Sequence, residues 1–136
     1  MSDQSNTLQE IESKLFMHML SDLIAKLSRS RQLDRCWKLI EEDYSDSNLN
    51  LEEAARLSGI SRNHLNHRLR QMTSFTFHQL LTRYRLLRVV AMMADENYSL
   101  LEIALENGFG SLRSFQRNFR TIVGESARRF RKRLDF

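Results

Sequence analysis

The 136-residue sequence has no proline, four glycines and a single cysteine. With no proline, no φ angle is locked and no interior helical N–H is lost. That scarcity of breakers suits an all-α chain with short turns. Cys36 alone excludes an intramolecular disulfide and offers no structural zinc set. No apolar run approaches the roughly 20 residues that span a bilayer. The opening MSDQSNTLQE lacks the basic-then-apolar layout of a secretion signal. Absent too are a Ser/His/Asp arrangement in recognisable context, a phosphate-cradling glycine loop and a paired-carboxylate signature. His64 and His67 stand at i and i+3, with no cysteine or carboxylate near them in sequence to complete a metal site. The expectation is a cytoplasmic protein that is not an enzyme, with no metal, no cofactor and no membrane partner.

What is present is a basic half. Residues 1–50 hold six Lys/Arg and nine Asp/Glu, a balance of 6 − 9 = −3, and residues 51–136 hold fifteen and eight, 15 − 8 = +7. Of those fifteen cations, fourteen are Arg and only Lys132 is Lys. A flat five-donor fork suits phosphate and base recognition; the same excess also suits an Arg-rich solvated face. The charge break near residue 50 is a candidate functional boundary.

Apolar spacing places the helices. Leu8, Ile11, Leu15, Met19, Leu23 and Leu27 recur at three or four residues, an amphipathic helix over residues 8–27. Its stripe must be buried against its own domain or against a second copy, as a homodimer. Leu33, Cys36, Trp37 and Ile40 give the next helix, with Trp37 read as core rather than as a base-stacking platform. Cys36 reads as a buried structural thiol in preference to an oxidant sensor. The acidic stretch 43–48 is a loop, and Asn48 or Asn50 caps the helix after it. From Phe75 to Met93 a long helix carries Phe77, Leu80, Leu81, Tyr84, Leu87, Val90, Ala91 and Met93 on one stripe, with Arg83, Arg85 and Arg88 at or near its polar side. His18 and His78 are expected partly buried.

The segment 103–131 has the pattern helix, tight turn, helix. Ile103, Ala104 and Leu105 form a short first helix, and Gly108 can take a positive φ where that helix stops. Phe109 plugs the corner and Ser111 caps the second helix. Phe115, Phe119, Ile122 and Val123 make its apolar back, while Arg113, Gln116, Arg117 and Arg120 make its front. Residues 51–73 repeat the pattern. Ala55, Gly59 and Ile60 match Ala104, Gly108 and Phe109 at an offset of 49; Ser61, Leu65, Leu69 and Met72 match Ser111, Phe115, Phe119 and Ile122 at 50. Duplication at fixed register decides the architecture.

The residues Ile103-Ala104, Gly108-Phe109, Ser111, Phe115, Arg117, Phe119-Arg120, Gly124 and Phe130-Arg131 together resemble the signature of the AraC/XylS family of bacterial transcription regulators. The resemblance covers about residues 33–133. It implies an all-α fold of two helix-turn-helix subdomains, 33–74 and 95–136, joined by a linker helix at 75–94. An N-terminal amphipathic extension, 1–32, precedes them, and the family's usual ligand-binding barrel is missing. A helix of about 17 residues is roughly 25 Å long, enough to hold two recognition helices about one turn of DNA apart. Three positions depart from the family pattern: Ala127 for a proline, Ser74 for a glycine and His67 for an arginine.

The resemblance further implies double-stranded promoter DNA and RNA polymerase as partners, activation of transcription, and a nucleoid-associated protein. The expected base-contacting residues are Arg62, Asn63, Asn66 and His67 in the first unit and Arg113, Ser114, Gln116 and Arg117 in the second. Leu112 beside them can meet a thymine methyl or simply lie on the surface. Ser61, Arg70, Ser111, Arg120, Arg128, Arg129 and Arg131 are the expected phosphate contacts, with Lys132 and Arg133 in the same cluster. Two rival readings remain: an interaction module whose N-terminal helix binds a partner or sensor chain, and the DNA-targeting part of a recombinase.

Overall fold

The structure, a computed structural model, describes residues 20–134. The stripe residues Leu8, Ile11, Leu15 and Met19, and His18, lie outside the described residues. The described residues fold as eight helices without strands. These are α1 (Leu20–Ser28), α2 (Arg31–Asp43), α3 (Leu51–Ser58), α4 (Arg62–Thr73), α5 (Phe77–Met93), α6 (Leu100–Glu106), α7 (Leu112–Val123) and α8 (Ala127–Leu134).

Short polar residues start the helices by accepting bonds from the free amides of the first turn. Ser30, Asn50, Ser61, Ser99 and Ser111 cap α2, α3, α4, α6 and α7 in this way. The linker α5 opens with a reciprocal box: Thr76 accepts from Gln79 N at 3.2 Å and Gln79 Oε1 from Thr76 N at 2.9 Å. Positive φ ends or turns the chain at Gly59 (76°), Gly108 (93°) and Gly124 (95°). Ser74 takes the same left-handed conformation at φ 70°, so the first unit keeps the turn of the second without its glycine.

Two apolar cores result. Leu33, Trp37, Ile40, Ala55, Leu65 and Leu69 build the first together with Leu80 and Leu81 of α5. The second takes Leu86, Val89 and Met93 from α5 and closes on Ile103, Phe115, Phe119 and Phe130. Phe109, Phe115, Phe119 and Phe130 form a chain of rings with successive centroids 5.4, 5.7 and 5.5 Å apart. The first unit has aliphatic Ile60, Leu65, Leu69 and Leu80 in the corresponding places.

Three readings are narrowed or changed. Leu23 and Leu27 are buried in the first core, so α1 packs on α2 and α4 of its own chain. The expected division at 32/33 falls inside α2, which starts at Arg31. The linker is buried nearly all round rather than along one stripe, because each half serves a different core. Arg85, expected near its polar side, is buried, and Ala91, expected in its stripe, is exposed.

Candidate nucleic-acid interface

Neither α4 (RNHLNHRLRQMT) nor α7 (LRSFQRNFRTIV) contains an acidic residue, whereas α3 and α6, which precede them, each carry two Glu. Each of the two helices buries its back: Leu65 and Leu69 in α4, Phe115, Phe119 and Val123 in α7. Residues three and four apart share a face. The front of α7 therefore presents Arg113, Gln116, Arg117 and Arg120, all exposed. On α4, Arg62, Asn63, His67 and Arg70 are exposed. Arg62 Nη1 lies 3.4 Å from Glu52 Oε1, an exposed pair worth little and easily exchanged for a phosphate.

The cap hydroxyls occupy the helix starts. Ser61 Oγ accepts from His64 N at 3.2 Å and Ser111 Oγ from Ser114 N at 3.1 Å. Each keeps its O–H for donation beside the positive end of a helix, where anions are favoured. Ser114 is half-buried, and its carbonyl accepts from Asn118 Nδ2. Leu112 packs against the second core instead of standing free.

Two expected DNA contacts are occupied elsewhere. Asn66 Oδ1 accepts from Phe77 N at 2.9 Å, tying α4 to the first amide of the linker. Arg131 donates from Nε to Met93 O at 3.1 Å and from Nη2 to Asp95 O and Tyr98 O, both at 2.6 Å. It thus ties α8 to the last residue of α5 and to the turn that follows it. Arg128, Arg129 and Lys132 of the same helix are exposed, and Arg133 grips Glu125 at 2.7 Å.

Arginines that sequence patterning missed do similar work. Arg85 donates from Nε to Tyr44 O at 2.7 Å and from Nη2 to Asp46 O at 2.8 Å. Burial holds its guanidinium pKa below the ordinary value, with Asp46 opposing that shift. Tyr44 and Asp46 stand 49 positions before Met93 and Asp95, so each unit has an Arg on the same pair of carbonyls. Arg68, on the flank of α4, donates to Gln32 Oε1 and to Ser30 Oγ. Only the apolar stripe of each helix is visible in sequence; a backbone carbonyl acceptor leaves no mark there.

The remaining singled-out side chains have ordinary settings. Cys36 is buried and its thiol is pushed up to about 12 by desolvation. Trp37 is buried with its ring edge-on to Tyr84 at 5.6 Å. His78 is exposed rather than partly buried. Among the described residues no group of three His, Cys, Asp or Glu is placed to hold a metal ion, and no helix is long and apolar enough to cross a membrane.

A family model described as a helix-turn-helix domain matches residues 54–133, more than half of the chain. The chain is 31% identical over 93 residues to the melibiose operon regulatory protein of Escherichia coli, covering 68% of this chain and 30% of that protein. It is 25% identical over 132 residues to an uncharacterized HTH-type transcriptional regulator of Staphylococcus aureus, covering 92% of this chain and 17% of the relative. It therefore spans less than a third of either relative. Two solved structures share the fold. One is the DNA-binding domain of AdpA, a global transcriptional factor, in complex with a target DNA: TM-score 0.68, 23% identity, 76% of this chain and 91% of that one. The other is the C-terminal domain of AraT, a response regulator from Geobacillus stearothermophilus: TM-score 0.67, 24% identity, 79% and 84%.

Proposed function

Since the chain belongs to the AraC-type helix-turn-helix family of DNA-binding transcription regulators, and not to a family of enzymes, we propose that it reads promoter DNA with α4 and α7 in adjacent major-groove segments. The observation that carries this reading is the charge pattern. Both second helices lack any carboxylate and turn Arg, Asn, His or Gln outward, while their acidic residues sit one helix earlier. Arg62, Asn63, His67, Arg113, Gln116 and Arg117 meet base edges, and Ser114 lies at the rim. Ser61, Arg70, Ser111, Arg120, Arg128 and Arg129 meet phosphates. Asn66 and Arg131 serve the fold instead.

In this reading the protein activates transcription by touching RNA polymerase. Leu101 and Leu105 supply a surface for that contact. They are 46% and 49% exposed, and their counterparts in the first unit, 49 positions earlier, are the charged Glu52 and Arg56. The fold does not need leucine there. Homodimer formation through residues 8–27 would rest on the stripe upstream of Leu20, because Leu23 and Leu27 already serve the chain's own core.

Two substitutions test the assignment. Arg113→Ala should cost about 1–3 kcal/mol on the preferred duplex and relax base choice at one position. Arg129→Ala should weaken all duplexes alike and flatten the log–log salt slope by about 0.9. If Arg113→Ala weakened every duplex equally, the base-reading face would be misassigned.

A further inference from the structure

The two turn glycines share a conformation but not an environment. A Cβ built on Gly59 meets nothing within 4 Å. On Gly108 it would lie 2.1 Å from the Tyr44 carbonyl oxygen and 2.6 Å from Arg85 Nε. Those two atoms are the acceptor and donor of one hydrogen bond, 2.7 Å long. The second unit's turn therefore rests on a bond between the linker's Arg85 and the first unit's Tyr44, at a distance only a glycine permits.

Through the Tyr44 carbonyl this contact reaches past the linker helix to the end of α2. The two apolar cores draw on opposite halves of α5. Beside the contact the units part, leaving a groove of about 440 Å³ lined by Ser45, Tyr98, Glu102, Leu105 and Glu106. One helix alone lets two bodies bend and twist about it. A second attachment off its axis removes that freedom.

We propose that the clasp of Arg85, the Tyr44 carbonyl and Gly108 fixes α4 relative to α7 and so sets the spacing between the two base-reading blocks the protein accepts. This inference rests on the reading of α4 and α7 as paired recognition helices. One added base pair moves the second block by about 3.4 Å and turns it by about 35°. A clasped protein cannot follow; an unclasped one can.

The test uses the full chain. Gln71 and Thr121, exposed and register-equivalent on α4 and α7, are changed to cysteine and spin-labelled; buried Cys36 stays unlabelled. The distance distribution between the labels should be narrow in the parent and in Gly59→Ala, which shares the left-handed strain but not the contact. It should broaden in Gly108→Ala and in Arg85→Lys, the latter keeping the test decisive if the former fails to fold. Without labels, shifting the preferred blocks by one base pair should cost the parent and Gly59→Ala about tenfold in affinity. The two clasp variants should keep most of theirs. Clasp variants that retain the parent's narrow distribution and its spacing penalty would overturn the inference. Broadened distances with a parent indifferent to spacing would instead overturn the paired-helix reading, and the role in spacing with it.

Discussion

Ser74 and Gly124 occupy the same turn, with φ 70° and 95°. An L side chain in that conformation costs about 1–2 kcal/mol, and glycine gives back part of that in unfolded-chain entropy. The Ser74 side chain is exposed. Ser74→Gly should therefore raise stability by about 0.5–1 kcal/mol, read from thermal or urea unfolding. A lower midpoint would mean that the hydroxyl contributes more than the strain removes. Cys36 makes a second prediction at this scale. Its folded thiol sits near 12 against an ordinary 9.0, so folding favours the protonated form. The stability it brings is complete below pH 9.0 and is lost as pH rises toward 12. An alkylating reagent at neutral pH should modify Cys36 no faster than the chain unfolds. Prompt modification of the folded protein would contradict this burial.

Within the elements, capping and apolar spacing made most of the structure legible. Asn50, Ser61 and Ser111 announce their helices because a short side-chain oxygen followed by an apolar period has few other uses. The matched glycines exposed the duplication, and the linker's extent followed from it. Asn66, Arg85 and Arg131 have partners within the fold that the sequence did not reveal, for one reason. Each bonds a backbone group across 11 to 41 residues, and every residue carries the same backbone. Arginine clustering points to phosphate whether or not a carbonyl has already claimed the guanidinium. Arg131→Ala should thus lower stability by about 1.5–3 kcal/mol, whereas Arg129→Ala should leave it nearly unchanged. Equal effects on unfolding would undo the distinction between holding the fold and holding DNA. Asn66→Ala should cost about 1 kcal/mol by freeing Phe77 N, and leave base preference as it was.

At the scale of the whole molecule, two duplicated units have come to differ. The second builds its core on a chain of four Phe rings and exposes three Arg and one Gln on α7, while the first has aliphatic side chains in those four places, beside Trp37 and Phe77, and exposes Asn, His and Arg on α4. Its α1 lends Leu23 and Leu27, so the stretch read as an appendage belongs in part to the fold. That packing was not legible in sequence, because an apolar stripe names no partner. The central claim is that both units read bases. It is tested most directly by selecting bound duplexes from a random library at about 150 mM salt. The account predicts two preferred blocks centred about one helical turn apart, roughly 10 base pairs. A single block, or no enrichment over random duplexes, would contradict it.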